Sequence, residues 1–139
     1  MCKTKLNVLV VDDDAIYQFT AKKTLEATGY INKIFVCSNG EEAYRLLKSN
    51  LLNTQEIPDV IFLDINMPVM NGWDFLRAYE GLQINSIKNV RIFLVSSSVN
   101  EIDLKYSREF PTVQDYIVKP ILKEKLSEIF QNIALADVH

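Results

Sequence analysis

The chain has 139 residues, 48% of them apolar, and a formal net charge of −3, which predicts a single domain spanning 1–139 with one sizeable core. The acidic balance and the scattered Lys and Arg residues lack the electrostatic footprint of a nucleic-acid binder. The N-terminal apolar run, Leu6 to Val11 with Asn7 inside it, is too short for a signal-peptide core or a membrane span, so a cytoplasmic protein with no membrane partner is predicted.

In chain order, LNVLVV (Leu6 to Val11) reads as a first strand. A crossover helix with a weak inward face of Tyr17, Thr20, Ala21, Thr24 and Leu25 follows, with Ile16 and Phe19 beside it. KIFVC (Lys33 to Cys37) is a second strand, and SNGEEAYRLLKSN then spaces Ala43, Leu46, Leu47 and Leu51 as a helix does. A loop from Leu52 to Pro58 leads into DVIFL (Asp59 to Leu63), and Asn71-Gly72 reads as a turn before a third helix that packs Trp73, Leu76 and Tyr79. Asp59 reads as turn chemistry. After a second loop, Gln83 to Asn89, VRIFLV (Val90 to Val95) is the fourth strand, and Ser98-Val99-Asn100-Glu101 has the form of a capping box opening a fourth helix. YIV (Tyr116 to Val118) is the fifth strand. The last helix carries one stripe of Leu122, Leu126, Ile129, Phe130 and Ile133, and the tail from Ala136 to His139 is loose. Cys2 and Cys37 match no metal or redox spacing and read as reduced thiols.

Strands and helices alternating in this way imply an α/β fold, a doubly wound five-stranded parallel sheet with helices on both faces. In such sheets function gathers outside the carboxyl ends of the strands. Those ends carry Asp12, Asp13 and Asp14 after the first strand, Asp64 after the third, Ser96, Ser97 and Ser98 after the fourth, and Lys119-Pro120 after the fifth. Converging carboxylates raise one another's pKa unless a cation compensates. With oxygen ligands only, the fitting cation is hard, and Mg²⁺ suits a site of one or two carboxylates that keeps its waters and leaves room for a phosphate.

VLVVDDD, FLDINMPVMNG, VSSS and YIVKP, in this order and spacing, resemble the receiver domain of two-component response regulators, a family that includes the free-standing chemotaxis regulator. The resemblance covers a core from about Leu6 to Ile133 and implies the flavodoxin-like strand order 2-1-3-4-5. Carried over by position, it implies that Asp64 is the phosphoacceptor, and that Asp12, Asp13, Asp64 and the backbone carbonyl of Asn66 hold Mg²⁺. Ser96 would bind the new phosphoryl group, Lys119 would pair with its oxygens, and Tyr116 would be the switch aromatic. Pro120 matches a proline preceded by a cis peptide bond. The implied partners are a histidine kinase or phosphotransfer protein and a downstream protein that reads the face of the fourth helix, fifth strand and fifth helix, with the chain a monomer or weak dimer. No output domain is expected after the fifth helix. On this reading the chain phosphorylates itself from a donor and loses the group again, and is not a turnover enzyme.

Other readings remain open at this stage. The three aspartates also read as a solvated helix entrance, with Asp14 the best N-cap candidate. A flavin-binding module of this topology would need a glycine- and hydroxyl-rich first loop, where aspartates repel phosphate. An aspartate-nucleophile phosphatase of the dehalogenase type would have a second acid where Asn66 stands. A degenerate receiver would bind partners without phosphorylation. Ser97, the segment REFPTVQD before the fifth strand and the long loop Ser49 to Pro58 depart from the family's usual pattern.

Overall fold

The structure, a computed structural model, describes residues 5–98 and 100–136; Cys2 and His139 lie outside them. Alternation along the chain gives β1 (Leu6–Val11), α1 (Ala15–Ala27), β2 (Ile31–Cys37), α2 (Gly40–Ser49), β3 (Val60–Asp64), α3 (Gly72–Leu82), β4 (Arg91–Ser96), α4 (Glu101–Ser107), β5 (Val113–Val118) and α5 (Lys123–Ala136). The five strands are all parallel and lie in the order β2-β1-β3-β4-β5. The expected doubly wound sheet is therefore present in the expected order, and it reverses direction of growth between β1 and β3.

Side chains alternate across the central strands and divide the core in two. Leu9, Val11, Ile61, Leu63, Ile92 and Leu94 face α2 and α3 residues such as Ala43, Leu47, Phe75, Leu76 and Tyr79. Val8, Val10, Val60, Phe62, Phe93 and Val95 face Leu25 of α1 and Leu126, Ile129, Phe130 and Ile133 of α5. The α5 stripe is thus buried as its spacing predicts, except for Leu122, which precedes the helix and is exposed. On α1 only Leu25 is fully buried, while Thr20, Ile16 and Phe19 are exposed.

Several local readings are corrected. β2 and β5 are the sheet edges and begin earlier than their apolar runs, because Asn32, Gln114 and Asp115 are exposed and interrupt the apolar pattern. The predicted loops each contain a short 3-10 turn, Thr54–Glu56 and Ile84–Ser86, and bury Ile57 and Ile84. The capping box at Ser98 does not form. The N-cap of α4 is Asn100, whose side chain accepts the N–H groups of Ile102 and Asp103. Ser98 is committed elsewhere, its N–H to Ser96 Oγ and its carbonyl to Tyr116 Oη. Asp59 is more than a turn residue: it is buried, accepts the Asn7 N–H at 2.8 Å and lies 3.4 Å from Lys88 Nζ, tying β1 to β3.

Candidate functional site

The strand order brings the carboxyl ends of β1, β3, β4 and β5 to one rim, where chain direction alone delivers Asp12, Asp64, Ser96 and Lys119. Asp12 follows β1, its N–H bonded to the Cys37 carbonyl at 3.0 Å, and is 1% exposed. Its Oδ1 accepts the Asp14 N–H at 2.9 Å and its Oδ2 receives Lys119 Nζ at 2.6 Å. Asp64 ends β3 and is buried; its Oδ1 accepts the Asn66 N–H at 3.2 Å and its Oδ2 lies 3.5 Å from Lys119 Nζ. Asp13 is exposed, yet one carboxylate oxygen each of Asp12, Asp13 and Asp64 lies within 4.8 Å of the others. Asp14 is the N-cap of α1, accepting from Ile16 and Tyr17.

Three carboxylates thus face a single ammonium. Burial pushes the Asp64 pKa up, the Asp12 charge adds to this, and the Lys119 ammonium and the Asn66 N–H oppose it without cancelling it, with Asp13 raising it further. For Lys119, burial favours loss of the proton, but the bond to Asp12 and the charges of Asp64 and Asp12 outweigh it and hold the pKa above the ordinary lysine value. The rim carries more negative charge than its ammonium balances, and every donor is oxygen. A hard divalent cation such as Mg²⁺ fits that set, and a thiol- or imidazole-seeking metal does not.

Ser96 ends β4 and is buried; its carbonyl accepts the Lys119 N–H at 2.7 Å, so the two strand ends are locked together. The Lys119-Pro120 peptide is cis. Tyr116 sits outside the carboxylate cluster, half-buried, with its hydroxyl donating to the Ser98 carbonyl at 3.2 Å. Of the expected residues, then, Asp12, Asp13, Asp64 and Lys119 meet directly. Asn66 touches the cluster through its N–H, Ser96 is joined to it through the Lys119 backbone, and Tyr116 reaches it only along the β4–α4 loop.

Three contributors were not legible as such. Gly72, read as a turn, is the first residue of α3 and presses on the chain at Asp64: a Cβ there would lie 2.7 Å from the Asp64 carbonyl oxygen and 2.9 Å from Ile65 Cα. Gln18 donates Nε2 to the Asp12 carbonyl at 2.5 Å. Tyr17, read as a core position, places its ring 4.3 Å from Lys119 Nζ. None of these has a signal in spacing, since each depends on two distant segments meeting.

A protein-glutamate methylesterase/protein-glutamine glutaminase of Clostridium acetobutylicum is 34% identical over 129 residues, 90% of this chain and 34% of that protein. The two-component response regulator ARR11 of Arabidopsis thaliana is 31% identical over 132 residues, 92% of this chain and 22% of that protein. The chain spans less than half the length of the curated relatives it matches. A crystal structure of a two-component response regulator from Cytophaga hutchinsonii has a TM-score of 0.84 at 27% identity, covering 95% of this chain and 98% of that one. A CheX-CheY-BeF3-Mg²⁺ complex from Borrelia burgdorferi matches at a TM-score of 0.73 and 26% identity, covering 91% and 87%. With the sheet order, the acidic rim and these likenesses together, and with the response regulator receiver domain matched over residues 8–131, the chain belongs to the response regulator receiver family.

Proposed function

We propose that this chain is a phosphorylation-dependent signalling switch in which Asp64 accepts a phosphoryl group from the phosphohistidine of a histidine kinase or phosphotransfer protein. The family works in phosphorylation-dependent two-component signalling, its members generally bind Mg²⁺ at an acidic pocket, and they interact with histidine kinases and downstream effectors. One observation carries the reading for this chain: Lys119 Nζ is shared between Asp12 Oδ2 at 2.6 Å and Asp64 Oδ2 at 3.5 Å, inside a group of three carboxylates.

In the transfer, an Asp64 carboxylate oxygen attacks phosphorus. A P–O bond forms, the P–N bond to the donor imidazole breaks, and its electron pair returns to nitrogen. Positioning and charge stabilisation account for most of such a reaction, and a carboxylate at the end of a paired, buried strand is well positioned. Asp12, Asp13, Asp64 and the Asn66 carbonyl would hold Mg²⁺, which supplies neutralisation of charge on the phosphoryl oxygens. Lys119 would supply a second positive charge to the phosphoryl oxygens. The product is an acyl phosphate, which water cleaves, so the mark is temporary and the chain accepts and loses the group without turning over a separate substrate.

The new group brings roughly 1.5 to 2 negative charges and three acceptor oxygens. Ser96 Oγ, which now accepts the Ser98 N–H at 3.4 Å, would donate to a phosphoryl oxygen, a charge-assisted bond worth about 1.5–3 kcal/mol. Movement of Ser96 disturbs Ser98, and Ser98 is the residue whose carbonyl holds the Tyr116 hydroxyl. Release of Tyr116 would remodel the α4-β5-α5 face read by a downstream protein. We assign 1–139 to one receiver domain with its core at about 6–133, acting in the cytoplasm as a monomer or weak dimer.

The test is binding of beryllofluoride, a phosphoryl mimic, followed by ¹⁹F NMR in the presence of Mg²⁺. Wild type gives a bound signal that Asp64→Asn abolishes. A signal that survives in Asp64→Asn, or no signal in wild type, overturns the proposal and leaves a receiver that acts as a binding module.

A further inference from the structure

We propose that Tyr17 is a positioning residue for Lys119, its ring face holding the ammonium beside Asp12 and Asp64; this rests on the function proposed above. Lys119 has a long flexible stem and three donors, and its two carboxylate partners are the groups that a bound cation and a phosphoryl group would engage. A lysine held only by those carboxylates would lose its anchor when they are engaged. Tyr17 supplies an anchor that stays: its ring centroid is 4.3 Å from Nζ, within the range of cation–π attraction.

The geometry around Tyr17 fits this role. Asp14 accepts the Tyr17 N–H at the first turn of α1, so the residue is fixed at a capped helix start only five positions beyond Asp12. Tyr17 also lines a mostly apolar cavity with Ala21, Phe62, Pro120, Ile121 and Leu126, and no charged side chain lines it. Burial first, and then the charges of Asp12 and Asp64, raise the phenol pKa, so the ring stays neutral. Phe could do the same work, because the face and not the hydroxyl is used. A Met or Leu could fill the space and could not attract the ammonium.

The experiment uses the full chain with Tyr17→Phe, Tyr17→Met and Tyr17→Leu. In the unphosphorylated protein, the Lys119 ε-methylene protons are read by NMR for the upfield shift imposed by a ring face. Phosphorylation at Asp64 by acetyl phosphate with Mg²⁺ is read as an initial rate. The expected result is an upfield shift in wild type and Tyr17→Phe that is lost in the Met and Leu variants, with their rates falling roughly 5- to 30-fold and the Phe variant restoring the rate. In a Lys119→Met background the penalty of Tyr17→Leu disappears. The Met variant preserves volume and guards against a folding defect in the Leu variant. Normal wild-type phosphorylation with unchanged rates in the Met and Leu variants, an unchanged shift, or a penalty that persists in Lys119→Met overturns the positioning role alone. Failure of wild type to phosphorylate at Asp64 overturns the functional reading, and the positioning role with it.

Discussion

Lys119 Nζ lies 2.6 Å from Asp12 Oδ2 and 3.5 Å from Asp64 Oδ2, so one ammonium from the end of β5 is shared by two buried carboxylates from the ends of β1 and β3. Three strand ends are thereby held together by charge. Lys119→Met leaves both carboxylates without their cation, and the metal-free protein is expected to lose about 2–4 kcal/mol of stability. Urea unfolding at neutral pH measures this. Millimolar Mg²⁺ is expected to recover part of the loss, because a ligand that binds only the folded form adds its binding free energy.

Asp64 binds its proton more tightly in the folded protein than an unfolded chain does, through burial and the Asp12 charge. Its contribution to stability is therefore full below the unfolded carboxylate pKa and is lost as pH rises through the folded value. Asp64→Asn removes the ionisable group, so without metal it is expected to melt higher than wild type at neutral pH. The gap narrows as pH falls through the carboxylate range. Thermal melts of the two proteins across that range, in EDTA, check the sign.

Gly72 touches the backbone of the proposed phosphoacceptor, and an added Cβ 2.7 Å from the Asp64 carbonyl oxygen forces that backbone to move. Gly72→Ala is expected to cost about 1–3 kcal/mol and to weaken Mg²⁺ binding measured by titration calorimetry. Gly81→Ala serves as the contrast. Gly81 is in the same helix with nothing within 4 Å of a Cβ, and the substitution is expected to stabilise by about 0.5–1 kcal/mol.

The Tyr116 hydroxyl holds the Ser98 carbonyl in the resting form. Tyr116→Phe removes that bond, worth about 0.5–1.5 kcal/mol, and is expected to tighten beryllofluoride binding by roughly 2- to 10-fold by freeing the β4–α4 loop. Tyr116→Ala removes the aromatic as well and is expected to abolish phosphorylation-dependent partner binding. Direct titration of the mimic into each variant, and partner capture with and without it, separate the two effects.

The sequence was legible where one residue acts alone and illegible where segments meet. The central strands were readable because both faces of the sheet are apolar and buried, Leu9, Ile61 and Ile92 on one and Val8, Phe62 and Phe93 on the other. The residues ending those strands marked the site, since parallel topology carries them to one rim. The edge strands were shortened because Asn32 and Asp115 face water and break the apolar run. The start of α4 was misread because Ser98 and Asn100 are equally good caps, and only the bonds from the Ile102 and Asp103 N–H groups to the Asn100 side chain show which of them caps the helix. Asp59 was taken for a turn residue because its partners, Asn7 and Lys88, are far away in sequence. Tyr17 and Gly72 belong to the same class.

The most direct test of the account is the intact mass of the full chain after incubation with acetyl phosphate and Mg²⁺, beside Asp64→Asn and an EDTA control. The account predicts one added phosphoryl group in wild type with metal, and none in the variant or in EDTA. A phosphoryl group on Asp64→Asn, or one that forms equally well in EDTA, would contradict it.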